Sequence, residues 1–438
     1  MKELVVLGAG ESGVGAALLA KKEGFEVFVS DRGIIKDKYK EELADKGIPY
    51  EECQHDESRI LKALEVIKSP GIPDKVPLIK RLKKAGISVI GEIEFASRYT
   101  DAKVVGITGS NGKTTTTLLT YHLLKTAGLE VALGGNIGVS FARNVAFNNR
   151  SLHVLELSSF QLDGTQAFRP DIAMILNISP DHLDRYDYKM ENYIASKFLI
   201  TQNLTKSDWF LFNEEDSNIT QNIEQLTIDA QKKAINSKYC IEGHLFVGGL
   251  NFEIRNTALQ GQHNAMNALF ALETAMLLGA DPKQLQEGLD TFRNDPHRME
   301  EVAIIDEVRF INDSKATNVD ATFYALDAIK ENIIWIVGGT DKGNDYQPLL
   351  SVVEEKVKVM ICMGVDNQKL INTFSSLVKG STQEVKSAKE AVNEAFALAQ
   401  KGDTILLSPA CASFDLFKNY IDRGEQFKTA VLDLGNRK

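Results

Sequence analysis

Cysteine is sparse: Cys53, Cys240, Cys362 and Cys411 are scattered over 438 residues, and no CxxC pair occurs. A chain of this size needs no disulfide framework, so a reducing compartment is expected. No stretch of 18 uninterrupted apolar residues appears, so no membrane span is expected. The N-terminus runs straight into Leu4-Val5-Val6-Leu7, without the apolar stretch and small-residue cleavage site of a leader. There is no basic excess either: 50 Lys and Arg stand against 60 Asp and Glu, a net charge of −10. That balance argues against a nucleic-acid or membrane-surface binder. It leaves room for a small polyanion held by a few placed cations. No short-period repeat points to a solenoid. A soluble, cytoplasmic protein with neither nucleic-acid nor membrane partners is expected.

What is present is a repeated α/β pattern. Hydrophobic residues make up 43% and charged residues 25%, close to globular averages. At roughly 100–200 residues per domain, the length suggests three domains. Leu4–Leu7 reads as a strand, Gly13–Lys22 as a helix and Glu26–Val29 as a strand, which makes a βαβ unit. A second start follows at Lys103–Ile107, with a helix over Thr114–Thr126 and strands over His153–Leu157 and Ile172–Leu176. A third has strands ending at Asn312-Asp313 and running over Ile333–Val337, Val359–Met363 and Thr404–Leu407. Breaks are expected near residues 95–102 and 294–300.

The first glycine turn, Gly8-Ala9-Gly10-Glu11-Ser12-Gly13, matches GxGxxG between strand and helix, with Asp31 at the end of the next strand. This is compatible with a nicotinamide cofactor, with another nucleotide diphosphate, or with a turn that binds nothing. The second turn, Thr108–Thr115, is more informative. Gly109, Ser110, Asn111 and Gly112 supply backbone N–H groups, Lys113 a cation, and Thr114 and Thr115 hydroxyls, as an ATP or GTP phosphate loop requires. The general GxxxxGK[ST] pattern is not met, because Ile107 occupies the first glycine position. Glu156 ends an apolar strand, where it is either a metal-holding carboxylate or an exposed strand end. His182, after Ser179-Pro180-Asp181, is either a ligand or a solvated loop residue. Lys197 lies on a helical stretch that could face the same site.

Taken together, these segments resemble the Mur ligases, ATP-dependent amide-forming enzymes of peptidoglycan precursor synthesis. Thr108–Thr115, Gly134–Gly138, Glu156–Gln161, Asp181–Asp184, Gly261–Asn267, Pro296–Glu300 and Asn312–Asn318 carry the likeness. Gly338–Gly343 and Ser408–Asp415 look most like the branch that adds D-glutamate. A DNPR-type motif, seen in ligases that add a diamino acid, is absent. The resemblance implies a Rossmann-like first domain over 1–97 for a uridine nucleotide, a central P-loop ATPase-type domain over 98–296, and a Rossmann-like C-terminal domain over 297–438 for the amino acid. It implies ATP, two Mg²⁺ ions, UDP-N-acetylmuramoyl-L-alanine and D-glutamate as ligands, acting on a monomer. The first glycine turn would then hold the uridine diphosphate, with Ser12, Asp31, Arg32, Ser69 and Gly71. Glu11 is an odd neighbour for phosphates, so its side chain is expected to point away or to meet another part of the nucleotide.

By the same resemblance, Lys113 would contact the β/γ-phosphates, and Thr114 and Glu156 one Mg²⁺. His182 and a carbamylated Lys197 would hold the second. Asn136 and Ser158 would touch the muramoyl-alanyl acceptor. Asn264 would meet adenine, Asn267 and Arg298 the phosphates, and Asp313 the ribose. Lys315 and Thr317 would lie near the reacting groups. Lys342, Ser413 and the Phe414 backbone would bind the D-glutamate carboxylates. Sites spread over three domains imply closure around the substrates.

Overall fold

Short apolar strands alternating with helices build three mainly parallel sheets in this computed structural model, which describes residues 3–259, 261–293 and 296–435. In the first sheet β1 (Leu4–Leu7), β2 (Val27–Ser30), β3 (Tyr50–Glu51), β4 (Glu65–Lys68) and β5 (Ser88–Gly91) take the order β3-β2-β1-β4-β5. All pairings are parallel. β1 is buried along its whole length, as a strand covered by helices on both faces should be. The strand order reverses between β1 and β4, and ligand crevices form at such points. The Gly8–Gly13 turn and the Ser69–Gly71 loop therefore leave adjacent strands.

The second sheet contains β6 (Lys103–Thr108), β7 (Val131–Gly135), β8 (Leu152–Glu156), β9 (Ile172–Ile175), β10 (Trp209–Asn213) and β11 (Gln231–Ile235), in the order β11-β10-β9-β6-β8-β7. β6 is flanked by β8 and β9, so the loops after all three leave the same edge of the sheet. A small antiparallel sheet, β12 (Cys240–Ile241), β13 (His244–Val247) and β14 (Leu250–Glu253), follows. The sequence reading had no strands between residues 205 and 256.

The last sheet comprises β15 (Glu300–Ile305), β16 (Val308–Asn312), β17 (Ile333–Val337), β18 (Val357–Met363), β19 (Thr382–Val385) and β20 (Thr404–Leu407), in the order β15-β16-β20-β17-β18-β19. Only β15 pairs antiparallel. Trp335 on β17 is fully buried and donates its indole N–H to the Ser408 carbonyl at 2.8 Å, so its polar atom is satisfied inside the core.

The chain divides into two compact units, residues 1–256 with 265–292, and 257–264 with 293–438. The second expected break starts at Asn294 and Asp295, which lie outside the described residues. All four cysteines are free. Among the described residues, no helix is long and apolar enough to cross a membrane.

Candidate functional site

The loop after β6 is shaped by glycine and braced by asparagine. Gly112 has φ +80°, and a Cβ there would stand 2.5 Å from Asn267 Oδ1. Only glycine fits both constraints. The helix Lys113–Thr126 begins at the next residue, presenting its N-terminus to whatever the loop holds. From the end of β9, Asn177 accepts the Asn111 N–H at 2.8 Å and donates to the Asn111 carbonyl at 3.0 Å. The Ser110 hydroxyl donates to the Ser179 carbonyl at 2.9 Å.

Strand register brings Glu156 to this loop. It stands opposite Ile107 of β6 and Gly135 of β7. Its Oε1 accepts from Asn136 Nδ2 at 2.8 Å. Its Oε2 is buried with no hydrogen-bond partner among the described residues. An orphaned carboxylate oxygen is costly in a dry interior, and a cation would relieve that cost. No cluster of three or more His, Cys, Asp or Glu converges among the described residues.

Lys197, on the helix Met190–Phe198, is only 1% exposed. Its Nζ donates to the Gly109 carbonyl at 2.7 Å. Lys113 Nζ donates to the same carbonyl and to that of Ser110, both at 2.8 Å. Burial first, and then the Lys113 charge, hold the Lys197 ammonium well below the ordinary lysine range. The neutral amine that this favours is the form that reacts with carbon dioxide to give a carbamate. His182 adopts a left-handed backbone, φ +51°, and its ring lies edge-on to Phe160 at 5.2 Å. Thr114 and Thr115 are buried in the first turn of their helix. Ser158, expected at the acceptor, caps the helix Ser159–Leu162 in a reciprocal box with Gln161.

In the first sheet, a Cβ on Gly13 would stand 1.8 Å from the Gly8 carbonyl, so the turn folds tightly onto its helix. Ser69 donates to the Gly8 carbonyl at 3.3 Å, and the Gly71 carbonyl accepts from Arg185 at 3.2 Å. Ser12 is half-buried and Arg32 is exposed. Asp31 holds the backbone together here, because its oxygens accept the Ala9 N–H at 2.6 Å and the Gly33 N–H at 2.7 Å. That use weakens the dinucleotide alternative, in which this acid would bind a ribose. Glu11 points away from the turn, to Arg143 at 2.8 Å.

The C-terminal unit gathers Arg298, Asp313 and Lys315. Asp313 accepts the Met299 N–H at 3.2 Å and the Ser408 hydroxyl at 3.1 Å, and burial pushes its carboxyl up to about 7. Arg298 Nε is buried without a hydrogen-bond partner among the described residues. The Lys315 N–H donates to the His297 carbonyl at 3.1 Å, and Thr317 N–H donates to the Lys315 carbonyl at 2.9 Å. The loops carrying Lys342 and Ser413 pair through Thr340 and Ala412. Lys342 and Phe414 are exposed, whereas Ser413 is buried. Asn264 and Asn267 are both buried, one turn apart on the helix Gln262–Leu277.

Sequence reasoning missed Arg423. It is 1% exposed and donates to the Ser314 hydroxyl and carbonyl at 3.0 and 2.9 Å, and to the Gly338 and Cys411 carbonyls at 3.3 Å. It thus joins the loops after β16, β17 and β20. The signal was there: Arg423 shares a helical face with the buried Phe427, Ala430 and Val431, an odd place for a charge. Asn177, which braces the phosphate loop, was also missed.

Three family descriptions match the chain in order. They are the Mur ligase MurD-like N-terminal domain over 2–91, the Mur ligase middle domain over 107–275, and the Mur ligase glutamate ligase domain over 297–411. Curated UDP-N-acetylmuramoylalanine–D-glutamate ligases of Christiangramia forsetii and Bacteroides fragilis are 52% and 50% identical, each over 99% of this chain and 100% of the relative. A pseudomurein peptide ligase type C from Methanothermus fervidus shares the fold, with a TM-score of 0.63 at 20% identity over 99% of this chain and 100% of that one. A MurF ligase from Thermotoga maritima, solved with ADP, has a TM-score of 0.62 at 16% identity, covering 96% and 99%.

Proposed function

The chain belongs to the Mur ligase family, and on that footing we propose that it joins D-glutamate to UDP-N-acetylmuramoyl-L-alanine in an ATP-driven step of peptidoglycan precursor synthesis. The observation that carries this reading is one cluster at the edge of the second sheet. There a phosphate loop, the orphaned Glu156 oxygen and the depressed Lys197 amine converge. The curated relatives supply the identity of acceptor and amino acid.

The reaction proceeds in two steps. The L-alanyl carboxylate attacks the γ-phosphorus of ATP, ADP leaves, and an acyl phosphate forms. The D-glutamate amine then attacks that carbonyl, and phosphate leaves from a tetrahedral intermediate. The first step sets one anion against another, so cations must converge on it. Lys113 reaches the β/γ-phosphates, and the N-terminus of its helix receives them. Thr114 and Glu156 would hold one Mg²⁺, and His182 with a carbamylated Lys197 the other. The chemistry two Mg²⁺ ions supply when bound is screening of the attacking carboxylate and the phosphoryl oxygens. Carbamylation turns the Lys197 amine into an anion that binds a metal. Asn136, tied to Glu156, orients the acceptor.

Asn264, Asn267, Arg298 and Asp313 bind the rest of ATP, while Lys315 and Thr317 lie by the reacting groups. Lys342, Ser413 and the Phe414 backbone take the glutamate carboxylates. Boundaries at 97 and 296, a monomeric state and a cytoplasmic location complete the proposal. The test is phosphate release from ATP with UDP-N-acetylmuramoyl-L-alanine, offering D-glutamate, L-glutamate and other amino acids in turn. Release that depends on D-glutamate supports the reading, and its absence overturns it.

A further inference from the structure

Glu11 sits inside the first glycine turn, where a carboxylate would repel a diphosphate, and its partners explain why it is tolerated there. The helix Glu11–Lys22 starts at the turn. Four residues on, a Cβ on Gly15 would stand 2.1 Å from Ser140 Oγ, so this helix meets the N-cap of the helix Phe141–Phe147 almost backbone to backbone. Across that contact Glu11 Oε1 accepts the Ser140 N–H at 3.2 Å and Arg143 Nε at 2.8 Å, and Oε2 accepts Arg143 Nη2 at 3.2 Å. Arg143 Nη1 is anchored in turn by Glu42 at 2.6 Å.

The far side of this contact leads to Glu156, the carboxylate at the end of β8. Asn144, on the same helix as Arg143, donates to the Leu133 carbonyl at 2.8 Å. The Val139 carbonyl accepts the Gly135 N–H at 3.1 Å. Asn136 then donates its N–H to the Glu156 carbonyl at 2.8 Å and its side chain to Glu156 Oε1 at 2.8 Å. Hydrogen bonds, one helix and the end of β7 thus connect the first glycine turn to Asn136 and Glu156.

We propose that the Glu11–Arg143 bridge is a positioning device that makes the diphosphate turn and the Asn136–Glu156 acceptor site one rigid piece, so that binding of the uridine diphosphate aligns the distant L-alanyl carboxylate. This rests on the ligase reading above. The pair is partly exposed, so its role in stability is small. Its role in geometry is larger, because binding energy from a remote part of a substrate raises turnover only if it is transmitted to the reacting group.

The test uses the full chain with Glu11→Gln, Arg143→Met, Arg143→Lys and the Glu11→Gln/Arg143→Met double variant. Each is assayed with UDP-N-acetylmuramoyl-L-alanine and with N-acetylmuramoyl-L-alanine, which lacks the uridine diphosphate. With the full acceptor, Glu11→Gln and Arg143→Met should each lower kcat about tenfold, while KM for ATP and for D-glutamate stays within about twofold. The double variant should be no slower than either single one, and Arg143→Lys should recover part of the loss. With the truncated acceptor, all variants should match the wild type, because that substrate never engages the turn. Wild-type kcat in both single variants overturns the proposal. So does an equal loss with both acceptors, which would mean general damage to the fold. Failure of the ligase reading is separate, since it shows in the wild type as no D-glutamate-dependent phosphate.

Discussion

Replacing Glu156 by glutamine should push stability and activity in opposite directions. In the fold, Oε1 keeps its bond from Asn136 while Oε2 is buried without a partner among the described residues. An unsatisfied buried polar group costs about 1–3 kcal/mol, and a charged one more. Glutamine preserves the Asn136 bond and removes the charge, so without metal it should gain about 1–2 kcal/mol. At about 2–4 °C per kcal/mol for a unit of 150–250 residues, the unfolding midpoint in EDTA should rise by roughly 2–8 °C. Mg²⁺ with ATP should then reverse the order. Ligand at a hundred times its Kd stabilises the wild type by about 2.7 kcal/mol, and the variant should lose most of that. Phosphate release should fall at least about a hundredfold, the equivalent of losing at least about 2.7 kcal/mol of transition-state stabilisation. Thermal unfolding in the two buffers, with the phosphate assay alongside, decides the matter. A glutamine variant that melts lower in EDTA, or that gains as much as the wild type from Mg²⁺ and ATP, refutes the assignment of the orphaned oxygen to a metal.

Lys197→Ala should lose turnover, and added short carboxylates should restore part of it by standing in for the carbamate; full activity without them would remove the carbamate role. Asp313 has its carboxyl raised from 3.8 to about 7 by burial, so the folded chain binds a proton the unfolded chain has released. Its contribution to stability therefore falls as pH rises through that window. Asp313→Asn should flatten this part of the profile in urea midpoints measured at several pH values, while burial of Glu92, which holds that carboxyl up to about 8, leaves a residual slope. The buried Glu94 accepts the backbone N–H groups of Gln166, Ala167 and Phe168 at 2.8–2.9 Å, so Glu94→Ala should cost roughly 3–5 kcal/mol in urea unfolding. A loss under about 1 kcal/mol would mean that water replaces the carboxylate.

Local signals marked most strands of the three large sheets. Ile333–Val337 and Thr404–Leu407 are the same in sequence and structure, because runs of five and three consecutive apolar residues at a sheet centre leave little alternative. Between residues 205 and 256, β10 carries a plain apolar run, Trp209–Phe212, that marks a strand, whereas the other strands lack such a run. β11, Gln231–Ile235, is an edge strand that carries Lys232 and Lys233 and so lacks an apolar run. The hairpin of β13 and β14 is signalled only by Gly248-Gly249 between short strands.

By itself the sequence determined the order of the parts: a glycine turn, a phosphate loop, a carboxylate at a strand end, and a lysine and an arginine on helices. These are local features, set by residue type and by neighbours a few positions away. Tertiary structure decided what each part meets. Register placed Glu156 beside Ile107, some fifty residues earlier in the chain, with one oxygen unsatisfied. Burial beside Lys113 turned Lys197 from an ordinary cation into a depressed amine. Contact between two helices turned Glu11 away from the glycine turn toward Arg143, and three strand-end loops closed around Arg423. Charge, burial and hydrogen-bond partners depend on atoms that the chain brings together only on folding, and spacing along the sequence does not encode them.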